Sequence, residues 1–133
     1  MTSQIYVNLP VENVARSTAF YEALGFKKNL KYSDEDASCM VWSDEIIAML
    51  LDYDLYEEFI YTKRIADTHA TSGVILSLTL GDREQVQRFA DAATRLGARV
   101  YTVDVPSQPE GMFGYEVEDP DGHVWEPVCM EEA

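Results

Sequence analysis

Ile5-Tyr6-Val7-Asn8-Leu9-Pro10, then Asn13-Val14, then Leu24-Gly25, decide the fold of this 133-residue chain. The β-forming run from Ile5 to Leu9, closed by Pro10, predicts a strand. Asn13 is a helix N-cap residue, and Val14, Ser17, Phe20, Tyr21 and Leu24 recur at helical spacing behind it. Gly25 stands where a left-handed residue ends such a helix. Outward from there, short strands are predicted over Lys27 to Tyr32, Ala37 to Ser43 and Ile46 to Asp52. Ser43-Asp44-Glu45 is polar enough to turn the chain between the last two. The product is a β-α-β-β-β module.

The same order then returns. Asp54-Leu55-Tyr56-Glu57 has capping-box spacing for a short connecting helix, with Leu55, Phe59 and Ile65 facing inward. Asp67 to Gly73 is a polar linker. Val74 to Leu80 reads as a strand. Asp82, with Gln85 three residues on, caps a second helix whose inner face is Val86, Phe89, Ala90, Ala93 and Leu96. Gly97 ends it, and Arg99 to Val103 is extended. After a loop holding Pro106 and Pro109, Phe113 to Val117 and Val124 to Met130 complete the module around the turn Asp119-Pro120-Asp121-Gly122. Leu24-Gly25 and Leu96-Gly97 are matching landmarks of an internal duplication. The chain therefore reads as one α+β domain: module one about 1–53, a connecting helix and linker about 54–72, and module two about 73–133.

Composition narrows the function. Hydrophobic residues make up 47% of the chain, as in folded domains. The net charge of -14, from 24 acidic and 10 basic residues, repels phosphate backbones and anionic membranes. Nucleic acid and membrane are thus excluded as expected partners, and a cationic guest is favoured; adaptation to salt would give the same balance. The longest apolar stretch, Ile46 to Leu51, is too short to span a bilayer. Met1-Thr2-Ser3-Gln4 runs into strand pattern without a signal-like region, so a cytoplasmic protein is expected. Cys39 and Cys129 lie in apolar runs and read as reduced core thiols, with a disulfide the alternative. No phosphate-binding glycine loop or nucleophile elbow is present. Gly111-Met112-Phe113-Gly114-Tyr115 is glycine-rich but precedes no helix.

Leu9-Pro10-Val11-Glu12-Asn13, Ala19-Phe20-Tyr21 and Leu24-Gly25-Phe26 resemble the opening module of the vicinal-oxygen-chelate superfamily, which contains glyoxalases, bleomycin resistance proteins and dioxygenases. Asp119-Pro120-Asp121-Gly122-His123-Val124-Trp125-Glu126 resembles its closing signature. Cys39-Met40-Val41, Met49-Leu50-Leu51 and Ile65-Ala66-Asp67 look like the branch called predicted lactoylglutathione lyase. The resemblance implies paired modules forming a cup-shaped mixed sheet, the glyoxalase/bleomycin resistance fold. Gly111 to Tyr115 would be a lip of that cup. Many such proteins pair into homodimers.

Metal-dependent members hold a divalent cation with two His or carboxylate ligands from each module. Carried over residue by residue, those positions fall on Tyr6, Met49, Ile75 and Glu126; a two-residue slip substitutes Asn8 and Ser77. Only Glu126 is an ordinary ligand, so no metal and no cofactor is expected. His69, in the linker, reads as solvated, and His123, in the closing turn, as structural. Strand alternation groups Tyr6 with Asn8, Met49 with Leu51, and Ser77 and Glu126 with their own neighbours. Tyr6, Asn8, Met49, Leu51, Ser77 and Glu126 are therefore the expected lining of a small-molecule site, with Glu126 the candidate for any catalysis. Pro127 behind it removes a ladder donor, which suggests an edge or bulged strand. Three functions follow: a metal-independent protein binding a small, cationic organic molecule; a glyoxalase-type lyase or isomerase with an atypical divalent metal site; and a non-catalytic association domain.

Overall fold

Asn13 starts the first helix as its chemistry dictates. Its side-chain oxygen accepts the Arg16 backbone N–H at 3.0 Å, and at the far end Gly25 adopts φ +114°. Between them α1 (Val14–Leu24) follows β1 (Ile5–Val11), and the computed structural model describes residues 2–131. The described chain falls into two compact units, Met1–Thr71 and Ser72–Ala133.

In the first unit, β2 (Lys27–Lys28), β3 (Ala37–Val41) and β4 (Ile46–Asp52) complete a sheet of order β1-β4-β3-β2, with β1 and β4 parallel. The parallel pair is the return of a strand–helix–strand path. Phe20, Tyr21 and Leu24 of α1 are buried with Leu9, Val11, Met40 and Leu50 of the sheet. Each such side chain contributes about 1.5–3 kcal/mol of burial. A buried Thr18–Ser38 hydroxyl pair at 2.6 Å satisfies the polar groups carried into this layer.

Three local expectations need correction here. Lys27 to Tyr32 is not one strand: after Lys28 the chain makes a 3-10 turn, Leu30–Tyr32, because the Asn29 side chain accepts the Lys31 N–H. The connecting helix α2 (Tyr53–Phe59) is capped by Asp52, whose carboxylate takes the Leu55 N–H at 2.8 Å, and not by Asp54. Phe59 does not turn inward; it is 73% exposed.

The second unit repeats the path with β5 (Ile75–Thr79), α3 (Arg83–Arg95), β6 (Val100–Tyr101), β7 (Met112–Gly114), β8 (Glu116–Glu118) and β9 (Val124–Met130). Its order, β5-β9-β8-β6, mirrors that of the first sheet, with β7 also on β9. Asp82 caps α3 through the Gln85 N–H at 2.9 Å. Val86, Phe89, Ala90 and Ala93 are buried, whereas Leu96, at the C-cap, is exposed and lies off the inner face. Beneath the helix, Leu78, Val117, Trp125 and Cys129 form the buried face of the sheet.

Pro127 does not mark an edge. β9 lies inside the sheet, between β5 and β8. The proline acts on pairing instead. Gly114 stands opposite Val128 and Val117 opposite Trp125, one continuous register that puts Tyr115 opposite Pro127. Tyr115 N–H donates to the Pro127 carbonyl at 3.2 Å, but Pro127 has no N–H to return. A single predicted strand is thereby split into β7 and β8.

Candidate functional site

The same register sets Glu116 opposite Glu126. Because Tyr115 and Pro127 are hydrogen-bonded neighbours, Glu116 and Glu126 form the alternate kind of antiparallel pair, in which Cα atoms approach to about 4.5 Å and side chains are closest. On the other side of β9, Ser77 is the parallel partner of Glu126, and on the far side of β8, Tyr101 is the partner of Glu116. One rung of the second sheet therefore reads Ser77–Glu126–Glu116–Tyr101.

Ser77 Oγ donates to Glu126 Oε1 at 2.7 Å. Glu116 has less support. Its Oε2 is buried and has no hydrogen-bond partner among the described residues. Its carboxyl is pushed up to about 7, first by burial and then by a hydrogen bond and charge repulsion from Glu126. Two like charges directly opposed across strands repel, so the pair holds one proton near neutrality. Tyr101 is held upward as well, by burial and by Glu118. Arg99 lies beside that last pair, 3.3 Å from Glu118 and over the Tyr101 ring.

The two carboxyls open on a cavity of about 220 Å³. Met112, Gly114 and Val128 border it from the strands; Thr102, Val103 and Gln108 close it from the loop between β6 and β7. Phe113 and Tyr115 also border the cavity, but their rings are engaged by α3: Arg83 lies 3.9 Å from the Phe113 ring centroid, and Tyr115 donates its hydroxyl to Gln87 Oε1 at 2.7 Å. Arg83 also pairs with Glu131. α3 thus anchors the cavity's strand from behind.

Of the expected site residues, Ser77 and Glu126 are in contact. Ile75 is not their rung partner; it faces Val124 and is 57% exposed. In the first unit the register likewise puts Asn8, not Tyr6, opposite Met49. Tyr6 faces Ile47 and is 47% exposed, while Leu51 is buried beside Pro10 and Ala37. His69 is exposed. His123 is buried in the closing turn, where its N–H donates to the Asp119 carboxylate at 2.9 Å. Cys39 and Cys129 are buried free thiols. Glu116 is not among the residues expected from the sequence, although counting back across the Asp119–Gly122 turn from Glu126 reaches it.

The comparisons with known proteins bear on this architecture. Residues 4–42 match the family described as bleomycin resistance protein-like N-terminal. No curated protein matches the chain. A hypothetical protein from S. aureus superposes with a TM-score of 0.76 at 22% identity, over 97% of this chain and 95% of its own. A glyoxalase/bleomycin resistance protein/dioxygenase family enzyme from Burkholderia phytofirmans PsJN gives 0.71 at 17% identity, over 97% and 99%. A bleomycin-binding protein complexed with bleomycin gives 0.65 at 20% identity, over 98% and 100%. The chain has the glyoxalase/bleomycin resistance fold.

The donor chemistry does not fit the dication that metal-dependent proteins of this fold hold. Asn8 and Met49 offer an amide and a thioether, both weak toward a hard divalent ion. The Ser77 hydroxyl is already given to Glu126. Among the described residues no three histidine, cysteine or carboxylate side chains converge. Nor is any helix among them long and apolar enough to cross a membrane.

Proposed function

We propose that this chain is a vicinal-oxygen-chelate superfamily protein that binds a small organic cation in the cavity of its second unit, with no resident metal. The observation carrying this reading is the opposed pair Glu116–Glu126 at the cavity, one oxygen of which lies buried without a partner. Two opposed carboxylates repel, and a cationic guest seated beside them relieves that repulsion. The net charge of -14 supports the sign of the guest, and the similarity to a bleomycin-binding protein supports a role in binding. Among the described residues, the glyoxalase-type lyase or isomerase reading finds no group of three histidine, cysteine or carboxylate side chains to hold its metal. Homodimerisation belongs to the same proposal, since β1 and β5 each end a sheet and edge strands invite cover by a second copy. Sedimentation at micromolar concentration tests it.

Thermal melts with a panel of small organic cations test the binding itself. Wild type is expected to be stabilised by at least one of them. Glu126→Gln keeps the shape of the rung and removes a charge, so the response should fall by about 1.5–3 kcal/mol, the scale of a charged hydrogen bond. A wild type that responds to nothing, with a variant that melts several degrees lower, would make Glu126 a structural strand residue.

A further inference from the structure

Resting on that reading, we infer that the guest's cationic group carries N–H donors: a primary ammonium, amidinium or guanidinium seated between Glu116 and Glu126, and not a quaternary ammonium. Carboxylate oxygens accept hydrogen bonds, and a charge-assisted donor satisfies them far better than a bare charge. The opposed carboxyls of Glu116 and Glu126 both border the cavity and offer such acceptors.

A quaternary ammonium is recognised by aromatic faces instead, and the nearby rings are committed elsewhere. Phe113 lies under Arg83, Tyr115 is bonded to Gln87, and Tyr101 lies beside Arg99 and Glu118. The cavity volume of about 220 Å³ equals roughly seven waters at ~30 Å³ each, room for one ring bearing the cationic group.

Binding then exchanges one positive charge for another. In the empty cavity Glu116 holds a proton; the entering cation ionises it, and that proton leaves to solvent. The titratable groups facing Glu116 are Glu126 from β9 and Tyr101 from β6, with Glu118 and its Arg99 partner farther along β8. From the covering loop, Thr102, Val103 and Gln108 are uncharged. Since Glu116 titrates at about 7, affinity should weaken as pH falls below that value.

Calorimetry on the full chain with benzamidine, benzamide and benzyltrimethylammonium, at pH 6 and pH 8, tests this. Benzamidine should bind at least about tenfold tighter than either control, the scale of a charged hydrogen bond. Its Kd should weaken about tenfold from pH 8 to pH 6, with nearly one proton released at pH 6, as linkage requires. Glu116→Gln should abolish the proton release and the pH dependence. Benzyltrimethylammonium or benzamide binding as tightly as benzamidine would overturn the inference, as would benzamidine binding that ignores pH. If no probe binds while the broader cation panel still stabilises the protein, the inference fails alone; if neither responds, the binding function fails with it.

Discussion

Ser77 Oγ donates to Glu126 Oε1 at 2.7 Å, joining two residues 49 positions apart, while Oε2 of Glu116, on the other flank of Glu126, has no hydrogen-bond partner among the described residues. The rung is thus asymmetric: one carboxyl is held as an acceptor, and the other takes the proton. Thermodynamic consequences follow from that asymmetry.

The first concerns pH and stability. A carboxyl titrating at about 7 when folded, against an ordinary 4.5, binds its proton more tightly in the folded protein. It carries no penalty below pH 4.5, and the penalty accumulates as pH rises to about 7. Glu116→Gln resembles the protonated form at every pH. Its melting temperature should exceed that of wild type at pH 8, and the two should converge toward pH 4.5. A gain independent of pH would show that Glu116 titrates normally.

The Ser77–Glu126 bond should register as coupling. Ser77→Ala should cost about 0.5–1.5 kcal/mol in urea unfolding. Combined with Glu126→Ala, which unlike Gln leaves no acceptor for the Ser77 hydroxyl, the loss should be less than additive, because both changes remove one interaction. Strict additivity would mean the bond contributes nothing in solution.

Gly114 should not tolerate a methyl group. A Cβ there would lie 2.7 Å from the Pro127 carbonyl oxygen and 3.2 Å from Val128 Cβ, both on the neighbouring strand β9. Gly114→Ala should therefore destabilise the protein by about 1–3 kcal/mol, the usual cost of overpacking, and distort the cavity. Gly73→Ala, in open space, is the control and should be nearly silent.

The two helix caps should behave alike. Asn13→Ala and Asp82→Ala each remove one side-chain acceptor from a first-turn N–H and should each cost about 1 kcal/mol. Equilibrium unfolding of both variants checks this, and a silent Asp82→Ala would contradict the capping role.

Where local chemistry decides, sequence and structure agree. Asn13, Asp82 and Gly25 act through neighbours within a few residues, and β4 and β9 keep their predicted bounds as interior strands of their sheets. The errors arise where two local signals compete. Asp52 outcompetes Asp54 as a cap because the helix begins directly off β4, and Asn29 breaks an otherwise plausible strand. The rung was only half legible: the choice between Ile75 and Ser77 needs the β5–β9 register, which no local pattern carries. Glu116 lies within reach of turn arithmetic, counted back from Glu126 across Asp119–Gly122, but only the strand register shows that it stands opposite Glu126. The cavity depends on the loop from Thr102 to Gln108 folding over the strands, a tertiary outcome that the sequence does not advertise.

The most direct measurement is a carbon-detected NMR titration of the Glu116 side-chain carboxyl, with and without benzamidine. Burial and Glu126 set the expected midpoint near 7 in the free protein, moving toward the ordinary carboxylate range when benzamidine is bound. A Glu116 that titrates near 4.5 in both states would contradict it.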